Sequence, residues 1–244
     1  FHSIDVAMEL FNNQWEGYPN SDAKDETGTD YCGALKLCEA MVGQDLMGFH
    51  PNSHFRSDCT DGGTPPVDLY ATPTNGFDPA TDDPENLKVR KMYLQLENVH
   101  AYRLWNIYSN TAPFQQDLFV LCDVYNQVRN IDTGKKIGMP ILYYKANTSN
   151  TKHDPNSLPS AWDNDNGNIY NYFDNDEMVS LPLPWAPTKQ HPMFTDPTIF
   201  YEMTRDKKIS IESGRPNRAD SYILISAGPD GEYGTSDDVF NFGD

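Results

Sequence analysis

Ser221-Tyr222-Ile223-Leu224-Ile225-Ser226-Ala227 runs straight into Gly228-Pro229-Asp230-Gly231-Glu232-Tyr233-Gly234-Thr235-Ser236-Asp237-Asp238-Val239. The first segment is a nearly continuous apolar run, which predicts a strand buried on both faces. The second is a tight loop, because its glycines and proline let the backbone turn sharply. Asp230, Asp237 and Asp238 place hard oxygens at both ends of that loop. Calcium takes six to eight oxygens, mixing carboxylates with backbone carbonyls. Most Asp-Gly loops are solvated turns. Here adjacent Asp237 and Asp238 repel each other unless something neutralises them, and Ile225, Val239, Phe240 and Phe242 pin the loop at its base. The expected calcium ligands are Asp230, Asp237 and Asp238, with Ser226, Glu232 and Ser236 as secondary candidates. The spacing is not that of an EF-hand.

The rest of the chain bounds the fold. Its 244 residues suit one large domain or two small ones, and a single domain over 1–244 is expected. Hydrophobic residues make up 38% and aromatics 12%, so a packed core is feasible. Basic residues number 18 and acidic residues 36, for a net charge of -18. Such a surface repels phosphate backbones and anionic lipid headgroups and suits divalent cations, so no nucleic-acid partner is expected. No run approaches the roughly 20 apolar residues of a membrane span, and no signal peptide is visible. The chain opens at Phe1, without an initiator Met and already inside a helical pattern, so it reads as a trimmed chain.

Ile4, Met8, Phe11 and Trp15 share a helical stripe, with Ala7 and Leu10 beside it. Ser3 is placed to cap this helix unless the helix begins upstream; Gly17 and Pro19 stop it. Tyr31–Val42 reads as a second helix with Leu35, Cys38 and Val42 in register. Residues 43–86 are rich in Gly, Pro, Asp, Asn and Thr and read as a long irregular segment. Lys91–Glu97 reads as a strand, and Ala101–Tyr108 is ambiguous. Leu118–Tyr125 and Pro140–Lys145 read as strands. Residues 146–168 read as loop, and 180–198 hold Pro182, Pro184, Pro187, Pro192 and Pro197. Ile199–Met203 reads as a short helix or turn. Helix first and strands later predict an α+β fold, with the N-terminal helix packed on an antiparallel sheet.

At this point two segments carry a resemblance. Leu224 to Gly231 followed by Gly234 to Val239 resembles the C-terminal calcium loop of major pseudopilins of type II secretion and their type IV pilin-like relatives. Ala7 to Phe11 through Glu16-Gly17-Tyr18-Pro19 resembles the end of that family's long first helix, which gives way to a Tyr-Pro turn. The two motifs cover about 30 residues at opposite ends, in the family's order. The resemblance implies that 1–18 end a spine helix whose apolar upstream part is cut by a prepilin peptidase and packs in a filament core. It implies that the aspartates matching Asp230, Asp237 and Asp238 bind calcium. It implies a cell-envelope protein with a periplasmic or extracellular head, anchored in the inner membrane before assembly. Its partners would be other pilin or pseudopilin subunits and secreted protein cargo, with assembly energy from a separate ATPase. Segments 43–86 and 146–198 would be insertions enlarging the head, and 221–244 the last strand and calcium loop.

Other constellations are weaker. Asp163-Asn164-Asp165-Asn166-Gly167-Asn168-Ile169, with Asp174 and Asp176 beyond, resembles a calcium turn, but its glycine comes one position too early for an EF-hand. His50 and His54 are four apart, yet Pro51 and Asn52 argue for loop rather than a zinc-binding helix face. No Cys pair has zinc-finger spacing; Cys32–Cys59 or Cys38–Cys59 would bridge in an oxidising compartment, and Cys122 reads as a buried thiol. Tyr143, Tyr144 and Trp162 suit sugar stacking but read first as core. There is no GxSxG, HExxH, SxxK or phosphate loop, so no enzyme activity is expected. The rival expectation is an extracellular carbohydrate-binding module or hydrolase with a structural calcium.

Overall fold

The computed structural model describes residues 1–98, 100–156, 167–209 and 214–243. In chain order the elements are α1 (His2–Trp15), α2 (Gly33–Val42), α3 (Pro84–Val89), β1 (Ala101–Arg103), α4 (Leu104–Ile107), β2 (Phe119–Leu121), β3 (Val128–Arg129), β4 (Lys136–Ile137), β5 (Leu142–Lys145), α5 (Asp176–Ser180), α6 (Pro192–Thr195), α7 (Thr198–Thr204), β6 (Tyr222–Ser226) and β7 (Val239–Phe240). The fold is mixed α and β, with an N-terminal helix and small antiparallel sheets.

The decisive sheet is β5-β6-β7. Its register pairs Tyr143 with Leu224, Tyr144 with Ile223 and Ser226 with Val239. Every residue of β6 is buried, as its unbroken apolar run predicts. Side chains alternate along a strand, so the sheet feeds two cores. Tyr143, Tyr222 and Leu224 join Ile4, Ala7, Met8 and Phe11 of α1 in one. Tyr144, Ile223 and Ile225 join Met193, Phe200, Tyr201 and Tyr233 in the other.

α1 buries the predicted stripe, but Leu10 and Trp15 stay partly exposed. Trp15 is tethered instead, its Nε1 donating to Tyr93 Oη at 2.8 Å. The helix already begins at His2, so Ser3 lies within its first turn and does not cap it. It ends on Glu16 in the left-handed conformation. Beyond it, Tyr18 packs on Tyr222 with ring centroids 4.8 Å apart, and Tyr143 Oη donates to the Pro19 carbonyl at 2.6 Å. The Tyr-Pro segment is thereby pinned to the sheet.

α2 is buried along its whole length, Lys36 and Glu39 included. Gly33 is required by proximity, since a Cβ there would stand 2.2 Å from the Tyr143 carbonyl oxygen. Asn175 fastens that approach: it accepts from Ala34 N–H at 2.8 Å and donates to Tyr143 O at 2.7 Å. Lys36 Nζ donates to the carbonyls of Asp22 and Lys24.

Several expectations need correction. Lys91–Glu97 is not a strand: Lys91 bridges Phe49, and Leu96–Asn98 is a 3-10 turn. Ala101–Tyr108, ambiguous in its pattern, is β1 followed by α4. Beyond 168, the described part of 146–198 holds α5 and α6 and buries Met178, Val179, Leu181, Leu183 and Met193. Short helices cut by prolines leave no sustained period for sequence reading to detect. No disulfide joins Cys32 or Cys38 to Cys59; all four cysteines are free and buried, as read for Cys122. No helix among the described residues is long and apolar enough to cross a membrane.

Candidate metal centre

β6 delivers the chain into the acidic loop, and β7 takes it back along the same ladder. The loop is therefore closed at its base by the Ser226–Val239 pair. Gly228 turns the chain at φ +64, where a Cβ would meet the Asp237 carbonyl oxygen at 2.1 Å. Gly231 seats the loop against Trp185, and Gly234 seats it against Met193. The anchor is Tyr233, the one large side chain in this polar stretch. It is fully buried. Its N–H donates to His191 Nδ1 at 3.0 Å, its carbonyl accepts from Met193 N–H at 3.1 Å, and its hydroxyl donates to the Pro140 carbonyl.

Around that anchor the aspartates face their own backbone. Asp237 accepts from Asp230 N–H at 3.0 Å and from the Thr235 hydroxyl. Asp230 accepts from Glu232 N–H at 2.8 Å, and Asp238 from Gly234 N–H at 2.8 Å. Asp238 Oδ1 is buried without a partner. The carboxyls of Asp230 and Asp237 lie within hydrogen-bonding reach of each other. Burial, reinforced by the Asp237 charge, raises the pKa of Asp230. The Thr235 hydroxyl holds Asp237 below the ordinary carboxylate range. Burial pushes Asp238 up to about 7. A loop that crowds like charges and buries an unsatisfied carboxylate oxygen has a protonation problem, which a bound divalent cation removes.

The structure brings Asp230 and Asp237 together and sets Asp238 beside Tyr233. Among the described residues no group of three or more His, Cys, Asp or Glu side chains is gathered to hold a metal ion. Backbone carbonyls of the loop would have to complete a calcium shell. The secondary candidates fare less well. Glu232 is engaged in an ion pair with Lys189. Ser226 Oγ donates to Asp123 Oδ2 at 2.7 Å and accepts from Gly228 N–H. Ser236 is exposed.

Sequence reading missed Asp123. It is buried, accepts at Oδ1 from Tyr125 and Met139 N–H, and braces the base of the acidic loop through Ser226. Burial raises its pKa. Nothing local signals that role, because Asp123 and Ser226 lie 103 residues apart. Tyr233 was legible in principle, as a lone aromatic among polar and glycine residues.

Comparison with protein-family models, with curated proteins and with solved structures finds no match to this chain.

The remaining candidates separate. His50 is buried and accepts from Asn52 N–H, whereas His54 is exposed beside Glu26, 3.8 Å away. They form no zinc pair. Asp163 to Asn166 and Trp162 lie outside the described residues. Asp174 is buried and bonded to Ser21. Tyr143 and Tyr144 are fully buried core residues.

Proposed function

We propose that this chain is a non-enzymatic structural subunit of the pseudopilin and type IV pilin-like kind, its head clamped by calcium at Asp230, Asp237 and Asp238. The observation that carries this reading is the acidic loop itself. Its base is fixed by β6 and β7, Asp230 and Asp237 crowd each other, and Asp238 keeps a buried oxygen unpaired. The N-terminal helix on the three-stranded sheet and the pinned Tyr18-Pro19 segment support it. A hard dication would supply charge neutralisation, with loop carbonyls filling the shell. It would bind the native state only, stabilising it by about 2.7 kcal/mol at 100 times the dissociation constant. The subunit's partners would be neighbouring subunits or secreted cargo in the cell envelope, and its membrane attachment would run through an upstream helix.

Thermal melting tests the clamp. EDTA lowers the melting temperature by about 5–10 °C for a chain of this size and excess calcium restores it. Asp237→Ala with Asp238→Ala removes the response. A melting temperature indifferent to both reagents rejects the calcium reading.

A further inference from the structure

Cations are scarce in this chain, yet Arg205, Lys207, Lys208, Arg215 and Arg218 fall within one short stretch. Three of them rim a groove of about 420 Å³ between the end of α7 and β7. Met203, Phe240 and Phe242 line it with apolar surface, the two phenylalanine centroids 4.9 Å apart. Asp206 also lines the groove, but its Oδ1 accepts from Lys208 N–H at 2.9 Å. The rim is held in place. Asp206 N–H donates to Arg215 O, Asn217 N–H to Thr204 O, and Asn217 Nδ2 to Arg205 O.

Arg218 is engaged with Asn241 O and Asp5, but the two rim lysines are not so engaged. Lys207 and Lys208 are exposed and make no ion pair or hydrogen bond through their ammonium groups among the described residues. Arg205 keeps a buried Nε without a partner. The end of a helix favours positive charge, but that does not explain an aromatic floor beneath it. A basic rim over an apolar floor suits an acidic peptide carrying an apolar side chain.

We infer that this groove docks the acidic loop of a second copy of the chain, Phe77 to Asp83. That loop exposes Asp78 and Asp82. Its carboxylates accept backbone N–H groups, as from Ala80 to Asp78 and from Asp78 to Asp82, and form no ion pair with a described cation. Phe77 supplies the apolar group. Two bodies of charge -18 repel at long range, but at physiological salt the Debye length is about 8 Å. The local match then decides. Groove and loop are different surfaces, so the contact is heterologous and propagates into open chains rather than closing as a two-fold dimer. The choice of a second copy rests on the subunit reading above. The readout is association rather than melting, so failure here leaves the calcium clamp standing.

Sedimentation of the full chain at rising concentration tests the inference. At about 0.15 M salt the wild type forms larger species, which dissociate at about 0.5 M salt as screening shortens to a few ångströms. Lys207→Glu with Lys208→Glu stays monomeric, as does Asp78→Lys with Asp82→Lys, and an equimolar mixture of the two associates again. A wild type that stays monomeric, or a mixture that does, overturns the inference. So does wild-type binding to phosphatidylserine vesicles that Lys207→Glu with Lys208→Glu abolishes, because the groove would then belong to a membrane.

Discussion

At Gly228 the backbone needs a left-handed φ, and a Cβ would stand 2.1 Å from Asp237 O. Gly228→Ala therefore meets both a conformational penalty of about 1–2 kcal/mol and a clash that must push the two ends of the loop apart. Calorimetry of this variant shows a melting temperature lower by at least about 4 °C. An unchanged melting temperature contradicts the geometry drawn for the loop. Glu39 offers a second test. It is buried in α2, accepting from Tyr31 Oη at 2.5 Å and from Ser53 Oγ. Burial pushes it from its ordinary value of 4.5 to about 7. A carboxyl raised in the folded state stabilises fully below its unfolded value and loses that contribution as pH rises through the folded one. Glu39→Gln cannot ionise, so its melting temperature gains on the wild type as pH climbs from about 4.5 to above 7. Melting curves of the two proteins that stay parallel across this range count against a protonated Glu39. Buried His153 and His191 are held low by burial, at about 4 and about 3. They remove stability as pH falls below the ordinary histidine value, which both proteins share, so the difference between the curves isolates Glu39.

Among the elements, α1 and β6 are where local pattern and tertiary role coincide. The α1 stripe was readable because Ile4, Met8 and Phe11 recur at helical spacing, and the fold buries all three. β6 was readable because an unbroken apolar run has no solvent side. Between these elements, Met8 is fully buried in the core shared with Tyr222 and Leu224. Met8→Ala costs about 2–5 kcal/mol, seen as a lower urea midpoint at unchanged slope. A loss near zero means that α1 does not seal the sheet. Other elements were not legible. α5 and α6 are short and punctuated by prolines, so their buried residues make no period. The strand expected at Lys91–Glu97 failed because a mixed apolar and polar stretch does not by itself supply a partner strand, and among the described residues only the isolated Phe49–Lys91 bridge forms there. Asp123 and Asn175 act across long sequence separations, which no local window contains.

For the whole molecule, charge is the organising quantity. A net charge of -18 destabilises the compact state by self-repulsion. Buried Glu39 and Asp174 and half-buried Asp176 sit far from their ordinary titration range, all pushed upward by burial. A dication bound in the acidic loop would relieve part of that repulsion while fixing the chain between β6 and β7. Calcium is thus the claim on which the functional reading turns; its proposed ligands stand out as a loop motif, whereas the Asp123 support does not. Titration calorimetry of chelator-stripped protein with calcium tests it most directly. The account predicts one saturable site, lost in Asp237→Ala with Asp238→Ala and retained in Glu232→Gln, whose side chain pairs with Lys189. Absence of binding heat at millimolar calcium, or an isotherm unchanged by loss of Asp237 and Asp238, contradicts it.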